Sequence, residues 1–168
     1  MKLIRRRADF QIDDPSLMRV LDAAREEALV RRSRVVDPRH LLLGLLSTDD
    51  PLLPRLLARA GVDLAGLGSG VRAALPPPVG APGPREAGRA LAYTPEATRI
   101  LELAAEESDE LEHPRIGPEH LLIALLRHRG DAAALVRQAG LTLEAARSHL
   151  FGVRQERASS GDEEPSDA

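Results

Sequence analysis

The chain has no cysteine and no tryptophan. That removes disulfides, thiolate nucleophiles and cysteine metal sites together. Aromatic residues make up only 2% of it, so its core must be aliphatic, and a leucine- and alanine-rich core favours helices. Lysine is nearly missing as well: Lys2 is the sole example, and every other fixed positive charge is an arginine. With so much alanine, glycine and proline, this usage points to a high-GC bacterial genome. No apolar run reaches membrane-spanning length. The opening MKLIRRRADFQIDD has no apolar stretch of the kind that marks a secretory signal, so the expected location is the cytoplasm. The formal charge is −3, and four acids, Asp162, Glu163, Glu164 and Asp167, lie in the base-free segment 158–168. Without them the rest of the chain carries +1, which gives no reason to expect nucleic-acid binding.

What is present is a repeat. Residues 20–46 read VLDAAREEALVRRSRVVDPRHLLLGLL and residues 100–126 read ILELAAEESDELEHPRIGPEHLLIALL. They align without a gap at an offset of 80, so that Val20 falls on Ile100, Ala24 on Ala104, Glu27 on Glu107 and His40 on His120. The match resumes one residue out of step, where Ala60-Gly61 meets Ala139-Gly140. Two units are too few for a solenoid. They read as a pseudo-twofold pair sharing one core, with the informative positions being those at which the copies differ.

The helix signals recur in the same order. Asp14-Pro15 caps a first helix to about Arg32, and Asp37-Pro38 opens a second that is apolar nearly all round and therefore buried. A short third helix spans 52–60 and stops at Gly61; a glycine-weakened fourth spans 64–75. Residues 76–90 hold five prolines and three glycines and read as a semi-extended linker, neither helix nor sheet interior. Thr94-Pro95 then caps a helix to Leu111, Gly117-Pro118 opens the second buried helix to His128, a short helix covers 131–139, and Thr142 caps the last. The expectation is an all-α fold of eight helices in two four-helix repeats. A basic arm (1–12) leads into a double repeat over 13–152, made of repeat one (13–75), linker (76–92) and repeat two (93–152). A disordered acidic tail (153–168) follows.

Catalytic motifs are missing: there is no nucleophile elbow, no Walker A sequence, no dinucleotide fingerprint and no HExxH. GLGSG at 66–70 follows no strand, so it reads as a frayed helix rather than a phosphate loop. His40 and His120 sit in the first turns of the buried helices, where a bond to a neighbouring backbone group is the simplest role. No metal, cofactor or enzymatic activity is expected. The helix starts offer more. Thr94 and Glu119 occupy places held by Asp14 and Arg39 in the first unit. A helix N-terminus suits an anion, and a carboxylate suits a guanidinium. The plainer alternative is that Thr94 is only an N-cap and Glu119 only complements a helix dipole.

IGPEHLLIALL, VDPRHLLLGLL, AYTPEATRILELAAEES and QAGLTLEAARSHL together resemble the Clp N-terminal (Clp repeat) domain family over residues 13–152. The resemblance is to a free-standing ClpC-type N-domain without ATPase modules. It implies a fold of two four-helix repeats and a non-enzymatic accessory module that binds Clp substrates, adaptors or a full-length Clp unfoldase. It further implies phosphoarginine or cyclic peptides as ligands, with Glu119 on the guanidinium, Thr94 on the phosphate side, and Tyr93, Thr98 and Glu102 near the cyclic-peptide surface. Glu96 and Thr98 stand where the family often has Arg and Lys. Asp14 and Arg39 carry the wrong signs for a phosphate and a guanidinium, so the first-repeat site reads as lost. The alternative implied function is a structural or interaction paralog that keeps the fold without the ligand sites, its basic arm and acidic tail docking a partner.

Overall fold

The computed structural model describes residues 12–150. The acidic tail expected from the sequence lies outside them, as does the basic arm up to residue 11; Ile12 packs against the core. Helix α1 (Pro15–Val30) begins where the Asp14 carboxylate accepts the N–H groups of Ser16 and Leu17, at 2.8 and 3.2 Å. Strand β1 (Val35–Val36) leads into α2 (Pro38–Leu46), and α3 (Leu52–Arg59) and α4 (Leu64–Ala73) complete the first repeat. The second repeat runs through strand β2 (Ala92–Tyr93), α6 (Pro95–Glu110), α7 (Pro118–His128), α8 (Asp131–Gln138) and α9, residues 143–150. Gly61 and Gly140, at φ +69° and +103°, end the short helices as C′ glycines do.

The linker departs from expectation. Residues Pro84–Ala87 form a one-turn helix, α5. Pro84 enters at the first helical position and the Glu86 carboxylate accepts the Gly83 N–H at 3.0 Å, so proline here starts a turn rather than preventing one. The linker is also fastened to α1: the Arg25 guanidinium donates to the carbonyls of Ala87 and Arg89, and Val79 N–H donates to Val30 C=O at 2.8 Å. The chain thus has nine helices among the described residues, not eight, and two short strands that pair in parallel, Val35 with Ala92 and Val36 with Tyr93.

The core is one aliphatic cluster drawn from both repeats. Leu41, Leu42, Leu43 and Leu45 of α2 and Leu121, Leu122, Ile123 and Leu125 of α7 are all at most 1% exposed. Helix α2 packs on α6, α7 and α8 of the second repeat, while α7 packs on α1, α2 and α3 of the first. This exchange of partners is what a twofold between the repeats produces, and neither central helix is buried by its own repeat alone. Within the first repeat α2 also comes close to α1, since a Cβ on Gly44 would lie 2.7 Å from Ala24 N.

Candidate functional site

Both buried helices start with the same device. In α2 the His40 Nδ1 accepts the Asp37 N–H at 3.1 Å, and in α7 the His120 Nδ1 accepts the Gly117 N–H at 2.8 Å. The matched histidines therefore bond backward to the cap residue. Their other nitrogens differ. His120 Nε2 lies 2.6 Å from His113 Nδ1, whereas His40 Nε2 is buried without a hydrogen-bond partner among the described residues. Ser33, the counterpart of His113, instead bonds Val35 C=O at 2.7 Å.

The carboxylates at these helix starts come from different residues. In α2 the cap is Asp37, whose carboxylate accepts the Arg39 N–H at 2.8 Å and the His40 N–H at 3.2 Å. Arg39 returns a guanidinium to the same carboxylate at 2.7 Å and donates to Ala74 C=O at 2.8 Å. Burial pushes the Asp37 carboxyl up, but the hydrogen bonds from His40 and Arg39 outweigh it and hold that carboxyl well below the usual carboxylate range. In α7 the cap is Gly117, and Glu119 folds its carboxylate back over it. The Glu119 Cδ lies 2.8 Å from where a Gly117 Cβ would stand, so the carboxylate takes the space of the missing side chain. Glu119 is 9% exposed and its Oε1 is 3.9 Å from His120 Nδ1. Each repeat thus places one carboxylate over the start of its central helix, and in the first Arg39 pairs with it.

The residues picked out from the sequence divide between locations. Thr94 caps α6 by accepting the Ala97 N–H at 3.2 Å, and its own N–H donates to Val36 C=O at 3.0 Å. The start of α6 is thereby tied to the start of α2, in the other repeat, next to Asp37 and Arg39. Tyr93 is half-buried in β2, and burial together with the Asp22 charge on α1 raises its hydroxyl. Thr98 and Glu102 are exposed on α6 at four-residue spacing from Thr94, with Glu102 paired to Arg99 at 2.9 Å. Glu119 stands apart from these ties, at the start of α7 with His113 and His120. Asp14 remains the cap of α1, and α1 packs on α7 just as α6 packs on α2.

Donor atoms of His113, Glu119 and His120 lie within 4.8 Å of one another. With His120 Nδ1 accepting an N–H, the neutral ring carries its proton on Nε2, pointed at His113. The pair is a closed hydrogen bond, and a metal on Nε2 would have to displace that proton. The sequence signal for this contact is a histidine seven residues before His120.

A second network centres on Glu107. Glu107 is 1% exposed, and its Oε1 accepts from Arg127 Nη1 at 2.8 Å and Arg147 Nη2 at 2.5 Å, tying α6 to α7 and α9. The signal was its position, seven residues after Ile100 on the buried stripe of α6.

Comparison with known proteins gives these features a setting. The model of the Clp repeat (R) N-terminal domain matches residues 14–138 and 92–166. The negative regulator of genetic competence ClpC/MecB of Bacillus subtilis is 31% identical over 134 residues, covering 79% of this chain, and the chaperone protein ClpB of Oceanobacillus iheyensis is 28% identical over the same length. The chain spans 16% of the length of either relative. The Hsp104 N-terminal domain from Candida albicans superimposes with a TM-score of 0.67 at 18% identity, over 83% of this chain and 89% of that one. The N-terminal domain of ClpD from Arabidopsis thaliana gives 0.63 at 18% identity, over 88% and 99%. Among the described residues no helix is long and apolar enough to cross a membrane.

Proposed function

The chain belongs to the Clp repeat (R) N-terminal domain family, and on that premise we propose that it is a non-catalytic binding module of the bacterial Clp degradation system, receiving tagged substrates, adaptors or a full-length Clp unfoldase. One observation carries the choice of surface: the nearly buried Glu119 carboxylate laid over Gly117 at the start of α7. A carboxylate at the start of a helix suits an incoming guanidinium. At the corresponding place in the first repeat, Arg39 already fills that role from within. The module therefore takes an arginine or phosphoarginine side chain of its target at α7 and not at α2.

A second reading, in which the fold is kept for protein contacts and the phosphoarginine sites are lost, has its own support. The Thr94 hydroxyl is used in capping α6, and Thr94 is bonded to the first repeat at Val36, beside Arg39. By the same exchange of partners α7, whose first turn holds Glu119, packs on α1, whose cap Asp14 disfavours a phosphate. Neither junction then combines the threonine with the glutamate.

Titrating free phosphoarginine and free arginine while following amide shifts separates the two readings. The first expects shifts gathered at residues 116–121, lost in Glu119→Ala and kept in Arg39→Ala. Equal shifts at α2 and α7 would overturn the asymmetry. Saturating titrations that move no amide would leave the second reading in place.

A further inference from the structure

The end of the second repeat carries a surface that none of the roles above uses. Leu126 at the end of α7, Arg129 after it, Arg137 on α8 and Leu143 at the start of α9 line a shallow pocket of about 430 Å³. Two leucines form its floor and two exposed guanidiniums flank it. Neighbouring Arg127 and Arg147 are committed to Glu107, but Arg129 and Arg137 enter no ion pair among the described residues. The internal repeat supplies a control for this pocket. Its counterparts in the first repeat are Leu46, Ala58, Leu64 and either Asp49 or Asp50, depending on where the one-residue step falls. The two leucines occur in both copies; the two positive charges occur only in the second.

We propose that this pocket is the docking site of the chain's own acidic segment, residues 158–168. Charge complementarity selects it: the segment holds Asp162, Glu163, Glu164 and Asp167 with no base, and Pro165 among them is an apolar ring for the two leucines. Reach permits it. Helix α9 begins at the pocket, so Leu150 stands about 10 Å along it at the usual helical rise. The twelve residues from Leu150 to Asp162 span up to about 40 Å when extended. Tethering gives the segment an effective concentration on the order of millimolar, ahead of any free acidic peptide. The contact is electrostatic and solvent-exposed, so it weakens with salt. An acidic partner of this module must then displace the segment before it can occupy the pocket.

The absence of cysteine makes the test direct, because Ser166→Cys gives one unique attachment point for a nitroxide label. In the otherwise unchanged full chain, amides of residues 126–130, 137 and 143 should broaden strongly at low salt, and amides of α1 and α3 should not. Added salt should remove the effect in that same protein, independently of any further mutation. Arg129→Glu with Arg137→Glu should remove it at low salt, with amide dispersion showing that the variant remains folded. Broadening that is uniform, absent, or unchanged by salt and charge reversal would overturn the proposal. So would broadening that appears only between molecules in a mixture of labelled and isotope-enriched chains, which would make a second copy the occupant.

Discussion

The two repeats share their geometry and differ in their charges. Both central helices begin with proline after the cap and with a histidine bonded back to the cap N–H. Both carry a glutamate at the matched positions Glu27 and Glu107, yet opposite members of the ion pair are buried. In the first repeat Arg31 is the buried partner, its side chain 4% exposed against 23% for Glu27, and the pair is local to one helix. In the second the buried group is Glu107, 2% exposed at its side chain, held by arginines from two other helices. Arg127 and Arg147 fall on Ser47 and Gly68 in the first copy, so that network has no counterpart there. Positions that make the shared core have stayed alike, while positions that set local charge have diverged, and the proposed binding asymmetry rests on the second group.

The comparison breaks most completely if the repeats are separable. Leu42→Ala and Leu122→Ala should each cost about 2–5 kcal/mol, and calorimetry should give a single transition that moves down in both. Two transitions, with each mutation moving only one, would show two independent units. The inverted ion pairs come next. Removing the more exposed partners should strand a buried charge and cost about 3 kcal/mol, for Glu27→Ala in the first repeat and for Arg127→Ala with Arg147→Ala in the second. Replacing the buried member, Arg31→Met or Glu107→Met, should cost under about 1 kcal/mol. Urea midpoints in the reverse order would refute the assignment of which charge is buried.

Ligand asymmetry is sharpened by completing one junction at a time. If Asp14 faces Glu119, Asp14→Thr alone should tighten phosphoarginine about tenfold by removing a like charge from the phosphate. At the other junction Thr94 is already present, so Arg39→Glu with Asp37→Gly should create a new site by copying the arrangement of Glu119 over Gly117. Calorimetric stoichiometry that does not rise in this variant would mean another residue disables α2. A smaller effect tests the unmatched histidine: Ser33→His should give His40 Nε2 the partner that His120 has, stabilising by about 1 kcal/mol in thermal unfolding. Loss of stability would mean the first repeat has no room for the ring.

The last prediction concerns acid. The Asp37 carboxyl is held below its ordinary value of 3.8, so it contributes stability that is full above that pH and is lost as pH falls toward the lower folded value. Asp37→Asn keeps a cap but loses the ion pair, for a cost of about 0.5–1 kcal/mol at neutral pH. The difference between parent and variant should shrink below pH 4; a constant gap would show that the charge is irrelevant.

Local chemistry made the helices readable. Asp14-Pro15, Asp37-Pro38, Thr94-Pro95 and Gly117-Pro118 each combine a cap with a proline, and each begins a helix as expected. Repetition made the shared core readable as well. The two-residue strands were not, because Val35–Val36 and Ala92–Tyr93 are too short to show an alternation. The turn at Pro84–Ala87 was hidden by prolines that look like breakers until a cap is paired with them. For the candidate site, sequence spacing located Thr94 and Glu119 but grouped them within one repeat, whereas a backbone bond from Thr94 runs to the other repeat at Val36. Spacing along the chain carries no information about which repeat a helix start will meet. The same limit hid the Glu107 network, whose arginines lie 20 and 40 residues away.

Two similar halves on one chain are the arrangement most open to domain swapping, since the second half of one molecule could settle on the first half of another. Here the connecting segment is itself fastened down. Arg25 grips the carbonyls of Ala87 and Arg89, and the strand pair closes immediately afterwards. An exchange of halves would have to undo both before the second repeat could leave. A single guanidinium on α1 thus helps decide that the protein completes its core with its own chain.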